Sequence, residues 1–284
     1  MTTADESSHG VVRIGRVEVV PVCEGFAAIP LREEFPGRDV DWPAERRRHA
    51  WAFANEGSWA WHVHAFAVRT PERLVLVDSG LGSFPPYRPW VVHTDRLAAL
   101  RRAGIEPADV ADVILTHLHA DHAGGVAAPD GAPRFPNARV HVHRADRLHF
   151  APENDPEGDD AGREIDALDR AGLAVTTDHD HGVAPGVRVI ASPGHTPGHR
   201  SVLVEDGRER LLLTGDLLHL PVQVDAPGWS SAHDVDPVRG SRSRAELLSW
   251  ARRDGWLVAV SHFARPFGRI GPGDVPGAWR STMP

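Results

Sequence analysis

The stretch Thr116-His117-Leu118-His119-Ala120-Asp121-His122-Ala123-Gly124-Gly125 organises the reading of this chain. Three imidazoles and a carboxylate fall within six residues, directly after the apolar run Val110 to Leu115. That run reads as a buried strand. His117 and His119 are two apart, so in extended chain they project the same way. If the chain turns into a helix at Asp121, that carboxylate and His122 aim at a second point nearby. Gly124-Gly125 permits close packing of the turn against other backbone.

Three later segments repeat the design. Val189 to Ala191 leads into Ser192-Pro193-Gly194-His195-Thr196-Pro197-Gly198-His199, Leu211 to Leu213 into Thr214-Gly215-Asp216, and Leu257 to Val260 into Ser261-His262. Each is a buried strand that ends in a metal-ligand side chain. Taken singly, His195 or His262 reads equally as a hydrogen-bonded core histidine, and Asp216 as a turn residue. Together the segments offer five histidines and two aspartates, enough for two metal ions.

Composition narrows the chemistry. The chain has 284 residues, 18 histidines, one cysteine (Cys23), and 31 basic residues that are all arginine. Without lysine there is no P-loop lysine, no Schiff base and no serine–lysine pair. One cysteine excludes an internal disulfide, a four-cysteine zinc site and a cysteine-held iron–sulfur cluster. The net charge of −8 argues against nucleic-acid or acidic-membrane partners. No apolar run reaches the roughly 18–20 residues that span a bilayer. Met1 to Gly10 is polar and lacks the regions of a secretory signal. The expectation is a cytoplasmic protein with a disordered stretch 1–10 and a single domain over 11–284.

Along the chain, Val11 to Val22 reads as one strand. From Glu24 to Gly57 the pattern is lost, and this stretch, rich in proline and aromatics, reads as a long functional loop. Further strands are expected over Trp61 to Arg69, Leu74 to Val77, Arg139 to His143, Val187 to Ala191, Ser201 to Val204, Leu211 to Leu213 and Trp256 to Val260. Helices are expected over Thr94 to Gly104 with Thr94 as N-cap, from Ala145 to Phe150, and over Ser243 to Arg253. Asp155 to Asp160 reads as an acidic loop, and Asp178 to His181 as a polar turn. Roughly ten strands in runs, with helices between some, fit two packed sheets with helices outside.

The set His117-x-His119-x-Asp121-His122, then His195, Asp216 and His262, resembles the metallo-β-lactamase superfamily. The resemblance covers roughly Val11 to Pro272. It implies an α/β fold, the four-layer αβ/βα sandwich. It implies that His117, His119 and His195 hold one metal, that Asp121, His122 and His262 hold the other, and that Asp216 bridges them. Asp78 matches an aspartate that orients a ligand histidine. Nitrogen and carboxylate donors suit two divalent ions, zinc first, with iron, manganese and cobalt also suited. The reaction implied is hydrolysis by a metal-bridging hydroxide, with Asp121 or Asp216 handling the proton.

Within the superfamily, lactamases of the commonest type carry cysteine where this chain has Asp216. Flavin-linked diiron reductases carry glutamate where it has His119, and nucleases usually carry added domains and basic surfaces. The lactonase and methyl parathion hydrolase-like branch is the better match, through Phe135 to Arg139, Ser192 to His199, Gly215 to His219 with Gln223 and Trp229, and His262-Phe263 before Pro266 and Gly268. It implies a lactone, carboxylic ester or phosphoester as small-molecule substrate, and a homodimer. One position departs. Quorum-quenching lactonases carry tyrosine three residues after the bridging aspartate; here it is His219, and the only tyrosine is Tyr87. His219 could donate a hydrogen bond to a substrate oxygen instead. The alternative reading is a mononuclear iron persulfide dioxygenase-like oxidoreductase of the same fold. His199 is expected to support the first-motif loop. Trp42, Trp51, Trp59 and Trp61 are candidates to line a pocket. His62 and His64 share metal-like spacing on one strand face, but without a third partner nearby they read as structural. Cys23 lies far from any motif.

Overall fold

Apolar, β-branched runs separated by glycine and proline form strands, and these collect into two sheets. The computed structural model of the chain describes residues 10–37, 40–81, 92–93, 96–154, 161–271 and 279–282. The first sheet runs in the order Val12–Ile14, Val17–Pro30, Ser58–Arg69, Leu74–Val77, Val110–Ile114, Arg139–His143 and Ala174–Thr177. Phe53–Asn55 pairs with Ser58–Arg69, and Val92–His93 with Val17–Pro30. The second sheet runs His181–Ala184, Val187–Ala191, Arg200–Asp206, Glu209–Leu213, Leu257–Ala259, Phe267–Ile270 and Trp279–Ser281.

Four layers result. Phe66, Val75, Val77 and Ile114 of the first sheet meet Val189, Val202, Leu211 and Phe267 of the second in a core between the sheets. Leu100 of helix Arg96–Arg102 and Ile165 and Leu168 of helix Ala161–Arg170 cover the outer face of the first sheet. Leu247, Leu248 and Ala251 of helix Pro237–Asp254 cover the second. This is the αβ/βα sandwich expected. Among the described residues no helix is long and apolar enough to cross a membrane.

Strand direction places the site. Leu74–Val77, Val110–Ile114 and Arg139–His143 are mutually parallel, as are Glu209–Leu213 and Leu257–Ala259. Parallel strands release their C-terminal ends at one edge, where dispersed residues can meet. Asp78, Thr116, His117, Thr214, Asp216 and His262 all follow such ends.

Several expectations are corrected. Sixteen strands are present among the described residues, against roughly ten expected. Val11 to Val22 is a hairpin broken at Gly15-Arg16, where the Asp206 carboxylate accepts from Arg16 N (2.8 Å) and Nε (3.0 Å). The stretch 24–57 is largely ordered: the second strand continues to Pro30, and helices Leu31–Glu34 and Trp42–Arg48 follow, the latter capped by Asp41. Its aromatics carried no simple period because they pack around Leu31, Trp59, Leu220 and Val222 instead of on one sheet face. His181 starts a strand instead of closing a turn. The last helix begins at Pro237, earlier than Ser243, with Asp236 as its cap. Residues 1–9, Tyr87, Thr94 and the acidic loop 155–160 lie outside the described residues.

Candidate metal centre

Strand Val110–Ile114 runs on through Leu115 and Thr116, both buried. His117 Nε2 lies 2.9 Å from His119 Nδ1, which lies 3.0 Å from His195 Nε2. Asp216 Oδ2 is 3.8 Å from His117 Nε2 and 3.4 Å from His195 Nε2. Tetrahedral ligands bonded at about 2.0–2.1 Å sit about 3.3 Å from one another, so these spacings suit one ion. His119 Nδ1 carries at most one proton, so it cannot give a full hydrogen bond to both neighbouring nitrogens. A shared cation resolves the conflict.

A second set adjoins the first. Helix Ala120–Ala123 starts after His119 and carries Asp121 and His122. His122 Nε2 is 3.2 Å from Asp121 Oδ2 and 3.1 Å from Asp216 Oδ1. His262 Nε2 is 3.1 Å from Asp216 Oδ2 and 3.5 Å from Asp121 Oδ2. Both His122 Nε2 and Asp216 Oδ1 are buried without a hydrogen bond, a costly state unless a cation takes their lone pairs. The two donor sets are therefore His117, His119, His195, Asp216 and Asp121, His122, Asp216, His262. Asp216 belongs to both, and the arrangement fits two metal ions.

Other side chains aim the ligands. Asp78, the one non-glycine residue with positive φ (61°) among those described, accepts from Thr116 N (2.8 Å) and Oγ1 (3.0 Å) and pairs with His122 Nδ1 (2.8 Å). Such backbone is retained where surrounding bonds over-determine it. His199 accepts from Asp216 N through Nε2 (3.0 Å), while its Nδ1 faces the Ser192 carbonyl (2.9 Å). It thus supports Asp216, and its ring also packs on His117 of the first-motif loop at 5.3 Å. Gly215, at φ 54°, has room for no side chain: a Cβ would stand 2.7 Å from His199 Nε2. His262 Nδ1 donates to the His62 carbonyl (2.7 Å).

Sequence reasoning missed the pair behind His195. Asp234 Oδ1 is 3.0 Å from His195 Nδ1, and its Oδ2 accepts from Arg244 Nη2 (3.1 Å). Arg244 is fully buried and also donates to the Leu217 and Pro227 carbonyls. A signal existed: Arg244 shares a helix stripe with Leu247, Leu248 and Ala251, so it had to be buried and needed a carboxylate.

Burial and charge set the protonation states. Burial lowers His195 to about 3, and His119 and His199 to about 4, and it holds His117 well below its ordinary value. Neutral imidazole is the ligating form. Burial also opposes charge on His122, but Asp216, Asp121 and Asp78 outweigh it and raise that ring well above its usual value, an attraction for positive charge that would serve a cation at Nε2 in place of the proton. Burial would raise Asp216 and Asp121, yet neighbouring histidines hold both carboxyls low. Asp234 is likewise held at about 2 by His195 and Arg244 against its burial.

His219 joins this cluster. Its Nε2 is 3.2 Å from Asp216 Oδ2, its ring stacks on His262 at 5.4 Å, and its Nδ1 faces the buried Glu34 (3.8 Å). Burial opposes its charge, but Glu34 and Asp216 raise it to about 9. Of the four tryptophans, Trp61 lies over His262 (5.3 Å), and Trp59 meets His219 and His262 edge-on (6.3 and 6.2 Å). Trp51 packs on Phe263, and Trp42 on Phe35 and Phe53. Cys23, which the sequence placed far from any motif, lies beside His62 with Sγ 3.7 Å from Nδ1.

The metallo-beta-lactamase superfamily profile matches residues 59–262. An N-acyl homoserine lactonase from Bacillus sp is 32% identical over 170 residues, 54% of this chain and 63% of that protein. The N-acyl homoserine lactonase AttM of Azorhizobium caulinodans is 35% identical over 179 residues, 58% of this chain and 63% of that protein. The chain thus matches less than two thirds of the length of these relatives. Among solved structures, the dizinc quorum-quenching lactonase AidC, in complex with a product, superposes with a TM-score of 0.82 at 21% identity, covering 96% of this chain and 97% of that one. The hydrolase AbOPH superposes with a TM-score of 0.78 at 23% identity, covering 96% of each chain.

Proposed function

This chain belongs to the metallo-beta-lactamase superfamily, and on that premise we propose that it is a dinuclear metal-dependent hydrolase of a lactone or related ester. The observation that carries the reading is the pair of buried donor sets sharing Asp216. The mononuclear iron reading is not favoured, since Asp121, His122 and His262 complete a second set. Zinc is proposed first, supported by nitrogen and oxygen donors without sulfur, a set that also suits iron, manganese and cobalt. When bound, two such ions polarise a substrate oxygen and bring the pKa of a shared water toward neutrality.

The chain's own residues supply the rest. Asp121 is the better placed carboxylate for proton exchange with solvent: its side chain is 17% exposed against 4% for Asp216. His219 stands at the edge of the centre with its Nε2 directed into it. Through Nε2 it donates a hydrogen bond to a substrate oxygen, at the position where lactonases of this branch carry tyrosine. Trp59 and Trp61 pack their rings against His262 and form an apolar wall on that side of the centre. The lactonase relatives favour lactones over phosphoesters as substrate class. Likeness to that branch also supports a homodimer, which sedimentation would read.

The test is a panel of lactones, aryl esters and phosphotriesters offered to metal-loaded protein. Faster turnover of lactones is the expected result. No hydrolysis of any member by protein whose two Asp216-sharing donor sets are both filled would refute the proposal, as would one iron per chain with oxygen consumption on a persulfide.

A further inference from the structure

We propose that Cys23, His62 and His64 form a further metal-binding site, for a zinc-like divalent ion, separate from the two donor sets that share Asp216. The strands place these side chains together. Cys23 lies opposite His64 across the pair Val17–Pro30 and Ser58–Arg69, so both project from the same face. His62 is two residues before His64 and projects likewise. The two rings lie 5.7 Å apart and nearly parallel, at 17°. The register shifts between Cys23 and Gly25, and Cys23 Sγ stands 3.7 Å from His62 Nδ1.

One ligand atom from each residue lies within 4.8 Å of the others. For a tetrahedral ion with a sulfur bond of about 2.3 Å and nitrogen bonds of about 2.0–2.1 Å, sulfur and nitrogen should be about 3.5 Å apart. Cys23 Sγ and His62 Nδ1 already stand close to that spacing at 3.7 Å, and His64 closes on them from within 4.8 Å when an ion binds. His64 is also oriented as a ligand histidine is: its Nδ1 faces the Ser261 carbonyl at 2.9 Å, which sets Nε2 as the nitrogen offering a lone pair. One thiolate and two imidazoles select zinc or cobalt over magnesium or calcium, and a fourth position can take water. None of these donors belongs to the catalytic sets. The segment does touch them, because the His62 carbonyl holds His262 Nδ1. An ion here would stiffen the strand that aims His262.

The single cysteine makes the test clean. Chelator-stripped protein is titrated with cobalt and followed by the sulfur-to-cobalt charge-transfer band in the near ultraviolet. The two catalytic sets hold no sulfur, so such a band reports Cys23 alone. The expected result is a band in the wild type and three cobalt ions per chain, with Cys23→Ser losing the band and one ion while keeping two. His64→Ala should behave as Cys23→Ser does. Two ions per chain without the band in wild-type protein would overturn the site, and so would a band that survives Cys23→Ser. The wild-type titration decides even where a variant fails to fold, and it is independent of any hydrolytic activity.

Discussion

Replacing Asp234 with asparagine isolates the carboxylate behind His195. The change keeps the side chain's shape and removes its charge. Asp234 and Arg244 are both fully buried at the side chain, 3.1 Å apart. Removing one partner of such a pair costs about 3–5 kcal/mol. Asparagine still offers one acceptor, so the loss should fall near the low end, about 3 kcal/mol. At about 2–4 °C per kcal/mol for chains approaching this size, the metal-free protein should melt about 6–12 °C lower. A second effect is separate. His195 Nδ1 loses the anion that orients it and strengthens its other nitrogen as a ligand, a change that usually lowers metal affinity 10–100-fold, or about 1.4–2.7 kcal/mol. Thermal unfolding in chelator reads the first effect, and chelator-competition titration reads the second. Asp112→Asn is the control: that carboxylate is equally buried and holds Arg73 (3.0 Å), Arg139 (3.1 Å) and His141 (2.9 Å), away from the centre. It should lose stability but not metal affinity. Wild-type affinity in Asp234→Asn, or an equal loss in Asp112→Asn, would show that Asp234 does not tune the site.

Three more outcomes are expected. His219→Phe keeps the ring stacked on His262 and removes its hydrogen-bond donor, so kcat should fall about 10²-fold with metal content unchanged; an unaltered kcat would remove His219 from the mechanism. Gly215→Ala puts a Cβ 2.7 Å from His199 Nε2 on a left-handed backbone, which costs about 1–2 kcal/mol in backbone energy alone. It should dislodge the support of Asp216, and a variant of wild-type melting temperature and turnover would contradict the packing described. Asp146 accepts from Thr196 Oγ1 (2.8 Å) and Gly198 N (2.6 Å), and burial raises its carboxyl from 3.8 to about 6. The folded state thus holds this proton more tightly than the unfolded state. The group's stability contribution is full below about pH 4, is lost as pH rises to about 6, and is level above that. Over roughly two pKa units the loss is about 3 kcal/mol at 1.36 kcal/mol per unit. Asp146→Asn should flatten that part of the stability–pH curve, and superimposable curves for the two proteins would refute the assignment.

Much of the centre was legible because its ligands sit at the ends of strands that the sequence marks plainly. Leu211 to Leu213 and Leu257 to Val260 are apolar runs with nowhere to go but the core, and the residue after such a run must emerge at a sheet edge. His117, His119, Asp121 and His122 needed only local geometry, two-residue alternation and then one helical turn. The aromatic segment 24–57 was not legible, because its side chains pack on parts of the chain far away in sequence, such as Leu220 and Val222. Asp234 was silent for the same reason: it precedes a helix cap and carries no period of its own.

The sequence by itself determined the donor types, their order and the strand-end logic that gathers them, since strands and turns are written in short-range patterns. It also excluded covalent catalysis by lysine, which this chain lacks. Only the tertiary structure decided which atoms meet. It placed Asp216 between both donor sets, put Glu34 beside His219, set the Asp234–Arg244 pair behind His195, and brought Cys23 to His62 and His64 across a strand pair. Each of these is a contact between residues far apart in the chain. Sheet register, burial and charge compensation select such contacts, and none of the three is a local property of sequence.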